Sequence, residues 1–179
     1  MEDWNVVVTL REDDFDQTCT ILEALGEVAR TDYYNVLAIK VADVSAFADA
    51  IEALAQSNPL LRESVARAVP CTDVFRFQSP EELEARAREV VAQWLPELSG
   101  KSFHVRMHRR GFKGRISSQH EEQFLDGFLL SALEARGAPG RITFDDPDAI
   151  IDLETIGQRA GLSLWSRTQR LRYPLLKLD

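Results

Sequence analysis

Residues 102–115 read SFHVRMHRRGFKGR, and whether that run is a strand or a helix decides the fold around it. Phe103, Val105 and Met107 alternate with His104, Arg106 and His108. A period of two predicts a β-strand with one apolar face in a core and one basic face toward solvent. The same run carries Arg106, Arg109, Arg110, Lys113 and Arg115 without a carboxylate, in a chain of 179 residues with a formal net charge of -8. A cationic strip on an acidic protein implies a polyanion that binds there, provided its own acids do not neutralise it.

Downstream of the strand, Gly111 and Gly114 make a loop, and Ser118 with Glu121 reads as a capping box for a long helix. That helix carries Phe124, Phe128, Leu129 and Leu133 and is stopped by Gly137 and Pro139. Ala149, Ile151, Leu153 and Thr155 alternate with Ile150, Asp152 and Glu154, and after Gly157 a last strand runs to about Trp165. Upstream, Ser79-Pro80-Glu81-Glu82 has a cap residue, a first-position proline and first-turn acids, the signature of a helix start. The helix it opens presents Leu83, Ala87, Val90, Val91 and Trp94.

The first part of the chain reads differently. Trp4, Val6 and Val8 predict a strand; Phe15, Cys19, Leu22 and Leu25 a helix closed by Gly26; 28–31 and 36–41 two strands around the turn 32–35. Asp43 caps a helix with Val44, Phe47, Ile51 and Leu54 that Asn58-Pro59 ends, and an apolar stretch from Val65 through Val74, Phe75 and Phe77 supplies a last strand. This is the β-α-β-β-α-β order of ferredoxin-like domains, with Pro70 at an edge or a bulge. The expectation is an α+β protein: a ferredoxin-like domain over 1–78, then a second α/β domain over 79–179.

Charge divides along the same line. Residues 1–100 hold 8 Lys and Arg against 19 Asp and Glu, whereas 101–179 hold 13 against 10. Phosphate would therefore meet the second half and be repelled by the first. The acidic N-terminus is unlike a secretory signal and no run of apolar residues is long enough to span a bilayer, so the expected location is cytoplasmic. Cys19 and Cys71 fit neither a disulfide framework nor a zinc pattern and read as buried small hydrophobes.

Phosphate contact would come from Arg guanidinium groups, from backbone N–H groups exposed at Gly111 and Gly114, and from the helix start near Ser117. The candidate RNA-binding residues are Lys101, His104, Arg106, Arg109, Arg110, Lys113, Arg115 and Ser117. A second basic cluster, with Arg167, Arg170, Arg172 and Lys177 among Trp165 and Tyr173, either stacks and grips unpaired nucleotides or docks on the core. Gly111-Phe112-Lys113-Gly114 matches the G-x-x-G loop of KH domains, yet there the loop joins two helices and here a strand precedes it. His104 and His108, roughly 13 Å apart along a strand, cannot share one ion. Asp152 and Glu154 share a strand face and pair more simply with Arg159 or another cation of the sheet than as a catalytic acid and base. No catalytic triad, P-loop, dinucleotide fingerprint or zinc-deaminase motif is present; no catalytic residue, metal or cofactor is expected.

The segments SFHVRMHRRGFKGRISSQHEE, DDPDAIIDLETIGQRAGLSLW and RYPLLKLD together resemble a THUMP domain, the RNA-binding module of tRNA-modifying enzymes. The resemblance covers roughly residues 79–179, and the region before it is similar to the domain that usually precedes THUMP. It implies recognition of a tRNA acceptor stem and single-stranded 3′ end, with contacts on Lys101, Arg106, Arg109, Arg110, Lys113 and Arg115. Family members usually continue into a fused enzyme, whereas this sequence is organised like a stand-alone THUMP adaptor. The function so implied is a non-catalytic protein that presents tRNA, or another structured RNA, to a separate modifying enzyme. The alternative is a regulatory module whose basic strip docks an acidic protein.

Overall fold

A computed structural model describes residues 1–11 and 15–179. Backbone contacts divide the chain into two compact units. The first comprises 1–72 with 170–178, and the second 73–169 with Asp179. The architecture is α+β, with one sheet in each unit.

In the first unit the order is β1 (Val6–Leu10), α1 (Phe15–Leu22), β2 (Glu27–Arg30), β3 (Val36–Lys40), α2 (Val44–Ser57), α3 (Pro59–Ser64) and β4 (Val65–Pro70). The strands lie in the order β2-β3-β1-β4, each pair antiparallel. Val6, Val8, Leu22, Leu37, Ile39, Phe47, Ile51, Leu61 and Val65 form its core. Local chemistry sets the ends: the Asp43 carboxylate accepts from the Ser45 hydroxyl and from Ala46 N and Ser45 N, which holds its own pKa below the usual range. Asn58 ends α2 and caps α3 through Leu61 N, with Pro59 at the first helical position. Pro70 falls on an edge strand, where its missing N–H costs no ladder bond.

In the second unit β5 (Asp73–Arg76) is followed by α4 (Pro80–Ala92), α5 (Leu95–Leu98), β6 (Ser102–His108), α6 (Ser118–Ala135), β7 (Arg141–Ile142), β8 (Ala149–Ile156) and β9 (Arg159–Ser166); of the last helix, α7 (Arg167–Arg172), residues 167–169 group with this unit and 170–172 with the first. The sheet order is β5-β9-β8-β6-β7; β6 runs parallel to β7 and β8, and the other pairs are antiparallel. Phe103, Val105 and Met107 of β6, Ile151 and Leu153 of β8, and Leu83, Leu125, Leu129 and Leu133 of the helices share one core. The helix α6 closes in a Schellman motif, with Ala138 N bonded to Leu133 O, Gly137 N to Glu134 O, and Gly137 at φ +69°.

Three features differ from the sequence expectation. Val74 and Phe75 do not complete the first sheet: a turn after Pro70 carries the chain into β5, which pairs with β9. Residues 73–78 therefore group with the second unit and 170–178 with the first, whereas the sequence pattern divides the chain at 78/79. The cap of α6 is Ser117, whose hydroxyl accepts from His120 N; Ser118 is the first helical residue and Glu121 is buried rather than reaching back to close a capping box.

Candidate nucleic-acid interface

The basic loop leaves the C-terminal end of β6 and returns into α6. Two apolar anchors fix it. The Phe112 ring lies 5.0 Å from that of Phe77 and packs against the core, and Ile116 is buried. Between them Arg115 N and Ile116 N both bond to Phe112 O, with Phe112 at φ +51° and Gly114 at φ +78°. A turn this tight between the partly buried Phe112 and the buried Ile116 pushes 113–115 outward, and Lys113, Gly114 and Arg115 are exposed. The Arg115 guanidinium lies 4.9 Å from the Phe112 ring centroid, a cation–π contact that holds the charge at the surface. Arg109 donates to Gly111 O. Among the described residues, Lys101, Arg109, Lys113 and Arg115 make no ion pair. Directly after the loop, α6 offers the positive end of its dipole.

The other predicted contacts are used by the protein itself. His104 is fully buried, not solvent-facing: Nδ1 lies 2.9 Å from Thr143 O, Nε2 lies 3.0 Å from Asp179 Oδ1, and the Phe144 ring stacks at 4.9 Å. The alternation along β6 was read correctly, but the segment after β7 and Asp179 cover the face assigned to solvent. Arg106 is half-buried, with Nε and Nη2 at 3.3 and 3.2 Å from Asp179 Oδ1. Arg110 forms an ion pair with the fully buried Glu154, while its backbone N–H donates to Thr155 Oγ1. Arg167 is held by Asp146 and Asp148 at 2.9 and 3.0 Å. A guanidinium neutralised in this way attracts phosphate less strongly than a free one.

The tail cluster divides. Arg167 belongs to the second unit and Arg170 to the first. Within the first unit Arg172 and the Tyr173 hydroxyl bond to Asp49, at 2.7 and 3.0 Å, and Leu175 joins the core with its N–H on Glu52. Trp165 is buried with its indole N–H on Ser163 Oγ. Of the two readings of the tail, docking is the one the structure shows for these residues.

Asp152 and Glu154 are both fully buried, with His108 Nε2 at 3.6 Å from Asp152 Oδ1. Donor atoms of His108, Asp152 and Glu154 lie within 4.8 Å of one another, but the Arg110 guanidinium already occupies Glu154, which opposes a cation there. A second such cluster, Glu84, His120 and Glu121, joins α4 to α6. Sequence reasoning missed it because its members are 36 residues apart and no spacing rule links them.

No helix of the described residues is long and apolar enough to cross a membrane. No protein-family profile and no curated protein matches the chain. Solved structures do. PH1313 from Pyrococcus horikoshii superposes with a TM-score of 0.59 at 12% identity over 90% of this chain and 54% of that one. TrmN from Thermus thermophilus gives 0.60 at 21% identity, over 89% of this chain and 44% of that one. A 4-thiouridine synthetase, solved in complex with RNA and ATP, gives 0.56 at 14%, over 92% and 42%. The chain spans about half the length of these proteins or less, and at such identities the likeness is one of fold, in keeping with the THUMP-like fold that the sequence resemblance implies.

Proposed function

We propose that this chain binds structured RNA, with tRNA as the substrate class, and presents it to a separate modifying enzyme without catalysing a step itself. One observation carries the reading: Arg109, Lys113 and Arg115 stand on an acid-free loop, pinned at Phe112 and Ile116, directly before the start of α6. Fixed cations beside a helix N-terminus suit a phosphate backbone, because the loop loses little freedom on binding. Likeness in fold to a 4-thiouridine synthetase solved with RNA supports the choice of ligand. The contacts reduce to Lys101, Arg109, Lys113, Arg115 and the α6 start at Ser117. His104, Arg106, Arg110 and Arg167 serve the fold.

Filter binding of tRNA across a salt series tests this. Four phosphate contacts give a log-log slope of about -3 to -4, and Lys113→Glu with Arg115→Glu lowers affinity more than tenfold. A salt-independent affinity, or one indifferent to charge reversal, overturns the reading and favours an acidic protein as the ligand of the loop. Modification of tRNA by the purified chain alone would overturn the non-catalytic role.

A further inference from the structure

Glu84 on α4 faces His120 and Glu121 in the first turn of α6, and one donor atom from each lies within 4.8 Å of the other two. His120 Nε2 stands 3.4 Å from Glu84 Oε1. Glu121 supplies an independent observation: it is 2% exposed, yet its carboxylate has no hydrogen-bond or ion-pair partner among the described residues. A buried carboxylate in that position is costly, and Glu84 beside it adds like charge.

The geometry suits a small divalent ion. Bonds of about 2.0–2.2 Å from zinc to imidazole nitrogen and carboxylate oxygen imply donor atoms about 3.4 Å apart at the corners of a tetrahedron. That is the Nε2 to Oε1 separation of 3.4 Å. One imidazole with two carboxylates selects zinc-type ions over magnesium or calcium, which prefer all-oxygen sets. His120 lies largely in solvent, which gives an ion a route in and leaves the fourth position to water.

We propose that Glu84, His120 and Glu121 form a binding site for a zinc-type divalent cation that clamps the first turn of α6 to α4. The ion neutralises two adjacent carboxylates and adds a bridge between helices that already share a core through Leu83 and Leu125. The site rests on no part of the RNA reading.

The test uses untagged full chain with Zn²⁺ and Co²⁺ as probes. Isothermal titration should show one equivalent of Zn²⁺ bound, Co²⁺ should give a visible absorption band of tetrahedral type, and about 100 μM Zn²⁺ should raise the melting temperature by several degrees. His120→Ala, a substitution at an exposed position, should abolish all three signals. Glu84→Gln should weaken Zn²⁺ binding by tenfold or more, and His108→Ala should change nothing. The proposal is overturned if wild type takes up no Zn²⁺, if His120→Ala binds as wild type does, or if His108→Ala is the variant that loses the signal.

Discussion

Asp126 Oδ1 accepts a hydrogen bond of 2.9 Å from the backbone N–H of Val105. One turn earlier on α6, Glu122 Oε1 accepts from Met107 N at 2.8 Å. Beyond Phe103 the strand β6 is paired with β8 on one edge, and β7 has ended on the other. Four helical residues advance about 6.0 Å and two strand residues about 6.6 Å, so carboxylates at 122 and 126 meet alternate strand N–H groups. The helix thus satisfies the open edge from which the basic loop departs.

Removing that acceptor exposes its value. Asp126→Ala leaves Val105 N–H buried and unsatisfied and should cost about 1–3 kcal/mol in urea denaturation. Asp126→Asn keeps a carbonyl acceptor and should lose markedly less. Equal losses in both variants would contradict the role of the bond.

Ionisation of the same residue works against the fold. Burial pushes the Asp126 carboxyl up to about 6, against the opposing pull of the bond from Val105 N. The folded protein therefore holds this proton more tightly than the unfolded chain, whose Asp titrates near 3.9. The stabilising contribution is present below about pH 4 and is lost as pH rises through about 6, amounting to as much as about 3 kcal/mol. Relative to wild type, Asp126→Asn should therefore gain stability between pH 4 and 7. A difference that stays flat over that range, measured by denaturant melts, would exclude the effect.

Two arginines five residues apart should separate stability from binding. Arg110→Ala removes the guanidinium ion-paired to the fully buried Glu154 and should cost about 3–5 kcal/mol. Arg115→Ala, at an exposed loop position, should change stability by no more than about 0.5 kcal/mol while weakening tRNA binding. The reverse pattern in parallel melts and filter assays would mean that the loop charges had been assigned the wrong roles.

Local chemistry is what the sequence made legible. Ser79 before Pro80, Asp43 before Val44 and Gly137 after Ala135 act within one turn, and the helix ends fall where those residues point. The alternation of Phe103, Val105 and Met107 likewise needs only its own strand. The burial of His104 is not legible because the partners of His104 and Arg106, Thr143 and Asp179, lie between 39 and 75 residues away, and no periodicity encodes them. Glu122 and Asp126 resemble any solvated i, i+4 pair until β6 is placed beside them. Lys113 and Arg115 lie exposed where Gly111 and Gly114 announce a turn, whereas the Phe112 anchor depends on Phe77, which no local pattern links to it.

Gly26 marks the entry to β2, and its place is fixed by close approach. A Cβ at this position would lie 2.4 Å from Lys40 O and 2.9 Å from Val41 Cγ1. The Val41 methyl could turn aside, but Lys40 O is backbone at the end of β3, so relief requires moving the strand that pairs with both β1 and β2. Gly26→Ala should cost about 1–3 kcal/mol, with the melting temperature lowered by several degrees. At Gly127, exposed on α6, a Cβ meets nothing within 4 Å, and Gly127→Ala should instead raise stability by roughly 0.5–1 kcal/mol through helix propensity. Thermal melts of the two variants with equal shifts, or shifts of the same sign, would contradict the packing at Gly26.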